Sequence, residues 1–240
     1  MENLGIDEKK LTLGHQVSDR EAICLYSLAK KASEGAIVEI GSNRGRSTVY
    51  LAKGCEIAGT VNRVYAIDPH FDGTELIFRE NMQKAGVSHI VVPMVMKSEE
   101  AAKQWHQPVS LLFIDGAHDY ENVRKDFVLW EPSVITGGMV CFHDKFDEGP
   151  AKVIRNHVLL SNRFSQVGVV QGLLYAIKGG NDTFVDRLNK FNLLMWTYLA
   201  SAFHLLTRLR YMRWAKRLVL RAGFGKVGEW LANKTVNTDS

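Results

Sequence analysis

The feature that most constrains this chain is an alternation. Short apolar runs at 36–40, 61–67, 90–92, 109–114 and 139–142 are separated by helix-period segments at about 46–53, 74–85, 98–106 and 122–130. Each helix carries the chain back to the edge where the previous strand began, so the strands run parallel, and a parallel sheet buries both its faces. A first helix opens at the capping box Ser18-Asp19-Arg20-Glu21 and closes before Gly35. The runs 164–170 and 173–178 lie two residues apart across Gln171-Gly172, which predicts a terminal hairpin with an antiparallel strand. The expected fold class is therefore α/β: a Rossmann-like, doubly wound, mostly parallel seven-stranded sheet ending in an antiparallel hairpin.

Charge divides the chain in two. Residues 181–240 hold ten Lys or Arg against four acids, a net +6, which leaves −2 for residues 1–180. The expected organisation is a ligand-binding α/β domain over 1–180 and a basic amphipathic helical extension over 181–240. From Phe184 to Arg221 there is no proline or glycine, and the apolar stretch 193–206 is shorter than the roughly 20 residues that span a bilayer. Two readings of 184–221 stand open: contact with a membrane surface, or a dimerisation or substrate-lid helix whose apolar face packs on protein. Nucleic acid is not expected, because the cations accompany an apolar face. Three cysteines, odd in number and never in a CxxC pair, predict neither a disulfide framework nor a zinc site, and Met1 to Gly5 carries no export-type segment. The expected location is cytoplasmic, with peripheral attachment at the inner membrane face if the first reading of the tail holds.

In such sheets ligands bind at the carboxyl ends of the strands, where strand order reverses. The first run ends in Gly41-Ser42-Asn43-Arg44-Gly45, the second in Asp68-Pro69-His70, the fourth in Asp115-Gly116-Ala117-His118 and the fifth in His143-Asp144. Two glycines in a strand-to-helix turn let backbone amides approach an anionic or polar ligand. Asp68 stands where an acid accepts hydrogen bonds from ribose hydroxyls. Together they point to a nucleoside cofactor. Asn43 breaks the GxGxxG fingerprint, which disfavours a nicotinamide oxidoreductase. His70 reads as structural, and His143 is open between packing and metal or substrate contact. Asp119 and Asp126 read as the solvated face of a helix, and Trp105 and Trp130 as packing.

The run Val38-Glu39-Ile40-Gly41-Ser42-Asn43-Arg44-Gly45-Arg46-Ser47-Thr48 resembles motif I of class I S-adenosylmethionine-dependent methyltransferases. The block from Phe113 to Asp126, followed by Gly137 to Asp144, resembles the subgroup of macrolide-sugar and catechol-type O-methyltransferases. The resemblance implies that Glu39, Gly41 and Ser47 surround the methionine part of S-adenosylmethionine and that Ser42, Asn43 and Gly45 also bind the cofactor. It further implies that Asp68 holds the ribose, that Lys97 and Ser98 lie beside adenine, and that Asp115 also lines the cofactor site. Metal-dependent relatives bind magnesium through an acid at the position of Asp115 and two oxygen ligands at the end of strand five. Here these are Asp115, His143 and Asp144, so one oxygen donor is an imidazole, which a hard cation favours less. His118 matches the general base. The function implied is methyl transfer to the hydroxyl of a sugar, glycan, glycolipid, natural product or similar small acceptor. The contrasting class is a membrane-associated cofactor-binding or scaffold protein without catalysis.

Overall fold

The computed structural model describes residues 6–14 and 17–208, with side chains through residue 199. Contacts divide the chain into a unit Met1–Thr197 and a unit Tyr198–Ser240. The first unit holds the whole sheet. In chain order its elements are α1 Asp19–Lys31, β1 Ala36–Ile40, α2 Arg46–Ala58, β2 Val64–Ile67, α3 Glu75–Lys84, β3 Val91–Met94, α4 Ser98–Lys103, β4 Val109–Ile114, α5 Tyr120–Trp130, β5 Val134–Phe142, α6 Glu148–Val153, β6 Phe164–Val170 and β7 Leu173–Lys178, after which α7 runs Phe184–Arg208. The sheet order is β3-β2-β1-β4-β5-β7-β6. The first five strands are parallel, and β7 is antiparallel to β5 and β6. Among the described residues, no helix is long and apolar enough to cross a membrane. The segment of the expected basic helix beyond residue 208 lies outside the described residues.

Residues two apart on a strand share a face, and here both faces are covered. Ile37, Val64, Ala66, Leu111, Phe113 and Cys141 face one cluster with Leu25, Ala29, Val49 and Leu51 of α1 and α2. Val38, Ile40, Leu112, Ile114, Val140 and Phe142 face the other with Val123, Phe127 and Trp130 of α5. The full capping box forms at Ser18, as its sequence predicts. Several element boundaries differ from the sequence reading. The second strand begins at Val64 and not at residue 61, because Asn62 turns inward to bond Gly35 N (3.0 Å) and Ser33 O (2.9 Å). The fifth begins at Val134, the bend at Gly137 (φ +83°) interrupting its apolar run. Helix α2 continues past residue 53 to Ala58, and a further helix, α6 with its π-turn Ile154–Leu159, forms across a Gly-Pro pair.

Candidate functional site

The parallel ladder extends one step beyond the strands: Asp68 N donates to Met94 O (3.2 Å), Gly41 N to Ile67 O (2.9 Å), Asp115 N to Ile40 O (2.8 Å) and His143 N to Ile114 O (3.1 Å). The four strand ends singled out in the sequence thus stand side by side. Strand order reverses between β1 and β4, so the crevice opens there.

On the β1 side, Gly41 has φ +89°, and a Cβ added to it would lie 2.2 Å from Asp115 O, so the two loops touch through a position only glycine fills. The Glu39 carboxyl is fully buried. Burial pushes it up to about 8, opposed by hydrogen bonds from Ser47 and Thr48. Three polar atoms of this segment are buried without a hydrogen-bond partner: Glu39 Oε1, Ser42 Oγ and Asn43 Oδ1. Buried polar atoms are nearly always paired, so three orphaned ones within five residues of one strand end are the pattern expected where a ligand completes the pairing. Asp68 accepts from Asn43 N (2.8 Å) on one carboxylate oxygen and His70 N (2.7 Å) on the other, which orients it and leaves each oxygen a lone pair. Lys97 is exposed immediately before α4, while the Ser98 hydroxyl accepts from Trp130 Nε1 (2.9 Å).

On the β4 and β5 side, His118 is half exposed, its Nδ1 3.1 Å from Asp147 Oδ2 and 3.2 Å from Asp144 Oδ2. The Asp147 hydrogen bond, with Asp144 and Asp115 near by, holds the imidazole above its ordinary 6.5 against the opposing effect of burial. Asp147 reaches His118 because Gly149 lets α6 press on the β4–α5 loop; a Cβ there would lie 2.2 Å from His118 O. His143 is buried, with Nδ1 3.1 Å from Asp115 Oδ1 and 3.4 Å from Asp144 Oδ2, and Nε2 3.4 Å from Glu21 Oε2. Burial pulls its pKa down, yet the carboxylates Asp115, Asp144 and Glu21 win and push it up to about 12. Burial raises the Asp115 carboxyl and His143 counters it. Ligand atoms of Asp115, His118 and Asp144 lie within 4.8 Å of one another, a group able to hold a metal ion.

Two participants had escaped the sequence reading. Glu21 reads there only as the capping-box acid, yet it also accepts from Gly172 N (2.6 Å) and faces His143, partners 151 and 122 residues away. Asp147 carried one readable signal, its place just before the helix-opening Glu148-Gly149-Pro150. Conversely, His70 is buried, its Nδ1 2.9 Å from Thr74 Oγ1 and its ring 5.6 Å from that of Phe78, a packing role as expected. Asp119 caps α5 through Asn122 N. Asp126, expected on a solvated face, is half buried and bonded to Ser98, because α5 turns it toward α4.

The sheet order, the nucleoside-type acid at β2 and the orphaned polar loop at β1 define a class I methyltransferase scaffold. Residues 38–145, a little under half of the chain, match the family described as a methyltransferase domain. Solved structures share the fold. The O-methyltransferase TomG from Streptomyces achromogenes, involved in tomaymycin synthesis and solved with SAM, is 20% identical, with TM-score 0.54 over 68% of this chain and 82% of that one. An O-methyltransferase from Bacillus cereus in complex with SAH is 20% identical, TM-score 0.54, over 69% and 84%. CalS11, a TDP-rhamnose 3'-O-methyltransferase of calicheamicin biosynthesis, is 16% identical, TM-score 0.54, over 67% and 78%.

Proposed function

We propose that this chain moves the methyl group of S-adenosylmethionine to a hydroxyl oxygen of a small acceptor of the sugar or natural-product type, with His118 as general base. The observation that carries the reading is the carboxylate-held His118 on the strand end beside the orphaned polar loop. The acceptor class rests on the sequence blocks and on similarity to proteins described as acting in natural-product synthesis, one of them on TDP-rhamnose. Residues 1–180 are the cofactor-binding domain in this reading, and 181–240 an extension.

The buried polar atoms fit the cofactor. Glu39 Oε1 would take its ammonium group, Ser42 and Asn43 its polar tail, with Gly41, Gly45 and Ser47 shaping the turn. Asp68, already oriented by two amides, would take the ribose hydroxyls, and Lys97 and Ser98 would flank the base. The cofactor supplies a methyl group made electrophilic by its sulfonium sulfur. His118, with its Nδ1 proton directed at Asp147 and Asp144, presents the Nε2 lone pair to the acceptor hydroxyl and takes its proton as the oxygen becomes methylated. Positioning does most of the remainder, because attack on a sulfonium methyl needs little covalent help.

A divalent cation fits the same rim. Asp115 and Asp144 would hold it with waters, and it would acidify the acceptor hydroxyl. In this reading His143, both of whose nitrogens meet carboxylates, acts as a donor that orients Asp115 and Asp144, and magnesium keeps oxygen ligands.

Isothermal titration with S-adenosylmethionine, S-adenosylhomocysteine and NADH, followed by a methyl-transfer screen over sugars, nucleotide sugars and catechols, tests the proposal. Micromolar binding of the first two, none of NADH, and transfer abolished in His118→Ala with binding retained are expected. Unchanged turnover in His118→Ala would remove the assigned base.

A further inference from the structure

Helix α7 has two faces within the first unit. Lys190, Leu193 and Leu194 turn inward: the leucines pack against the hydrophobic core, and Lys190 is buried against Asp182 (2.7 Å) and the Phe164 carbonyl. On the far side Phe184, Leu188, Phe191 and Met195 recur at spacings of four, three and four, which places them within an arc of about 60°. They are 82%, 49%, 57% and 44% exposed. Scattered exposed apolar residues are ordinary, but a continuous stripe of large ones marks an interaction surface.

The charge of this segment selects among the surfaces that could cover the stripe. From Asp182 to Arg221 there are eight cations, Arg187, Lys190, Arg208, Arg210, Arg213, Lys216, Arg217 and Arg221, against two acids, Asp182, which pairs with the buried Lys190, and Asp186. Asp186 is committed to Thr183, whose backbone N–H and hydroxyl both bond its Oδ2 (2.9 and 2.7 Å). A second copy of the helix would bring the same excess of positive charge. An anionic surface with an apolar interior complements both the stripe and the cations that follow it in the chain. Among the described residues no helix is long and apolar enough to cross a membrane.

We propose that the α7 stripe of Phe184, Leu188, Phe191 and Met195 docks on an anionic lipid surface, with the cations at 208–221 adding electrostatic attraction. This goes beyond the methyl-transfer reading and does not depend on it.

The test is co-sedimentation of the full-length protein with vesicles of phosphatidylcholine alone and of equal parts phosphatidylcholine and phosphatidylglycerol. Binding to the anionic vesicles, at least about tenfold weaker binding to the neutral ones, and release by salt are expected. The triple variant Leu188→Ser, Phe191→Ser, Met195→Ser changes only solvent-facing side chains, so it should keep its circular dichroism while its partition drops by at least about tenfold. Each of Arg213→Gln, Arg217→Gln and Arg221→Gln should lower partition about fivefold. Absence of binding to either vesicle, equal binding to both, or retained binding by the well-folded triple serine variant would each overturn the proposal. So would a wild-type dimer in sedimentation velocity that the triple variant converts to monomer without any vesicle binding, since the stripe would then join two copies.

Discussion

Replacing Glu39 with glutamine should strengthen the cofactor-free fold and weaken cofactor binding at once. Burial carries the Glu39 carboxyl from its ordinary 4.5 up to about 8. An acid whose folded pKa is raised binds its proton more tightly folded than unfolded, so its contribution to stability falls as pH climbs from 4.5 and levels off above about 8. At about 1.4 kcal/mol per pH unit the full loss is on the order of 5 kcal/mol, with relaxation around the charge reducing it. Glutamine has the same shape, can still accept the Thr48 hydroxyl and never ionises. Urea denaturation should find Glu39→Gln and wild type alike near pH 5, and the variant about 2 to 4 kcal/mol more stable at about pH 8.5. Titration with S-adenosylhomocysteine at the higher pH should show the opposite. Losing a buried carboxylate that meets an ammonium costs about 2 to 5 kcal/mol, or roughly 30- to 5,000-fold in Kd. At about pH 6 wild type must first shed a proton, so the gap should narrow by up to about a hundredfold. Equal stability at the higher pH would show that the carboxyl is not desolvated. A Kd shift below about threefold would show that it does not meet the cofactor's ammonium.

Three further perturbations probe other parts of the rim. Glu21, held down at about 2 by His143 and Ser18 although burial alone would raise it, contributes stability that is present above 4.5 and lost as pH falls toward 2; Glu21→Gln should flatten that acid limb in pH-dependent denaturation and cost about 1 to 3 kcal/mol near neutrality. Because the His118 imidazole is raised above 6.5, kcat/KM should climb with pH along a limb lying above that value, and Asp147→Asn should move the limb downward while leaving the Kd for S-adenosylhomocysteine unchanged. Gly41→Ala should fail to fold or lose more than about 3 kcal/mol in chemical denaturation, since its Cβ would meet the Asp115 carbonyl at 2.2 Å in a left-handed backbone.

Much of this molecule was readable in the chain because its strands are buried on both faces. Runs such as Val109–Ile114 need no tertiary information to be seen, and the residues following them are delivered to the rim by the parallel ladder alone. Hidden from the sequence were features whose cause lies far along the chain. Glu21 satisfies its capping box and gives no hint of His143 or Gly172. Helix α6 was obscured by Gly149-Pro150, which ordinarily reads as a turn; the proline sits in the first turn, where a missing N–H costs nothing, and the glycine answers to the His118 carbonyl. Helix α5 was placed two residues late, and its Asp126 on the wrong face, because polar spacing cannot distinguish solvent from a serine on the neighbouring helix.

The distribution of strain makes a separate case for where this chain meets its ligand. Among the described residues five non-glycine positions have positive φ, and three of them, Asn43, His70 and Asp144, stand just past the ends of β1, β2 and β5. Such a backbone costs on the order of 1 kcal/mol or more per residue and persists only where the surroundings impose it. The same rim carries the unpartnered atoms of Glu39, Ser42 and Asn43, a carboxyl pushed up to about 8 and an imidazole pushed up to about 12. Each of these lowers the stability of the free protein or depends on compensation from a distant group. Their concentration at one end of a sheet whose interior is otherwise evenly packed follows if a ligand completes the hydrogen bonds and charge there. At β1 and β2 the surroundings that impose the strain are visible: Asn43 N and His70 N both donate to the Asp68 carboxylate, which ties the two loops to one acid.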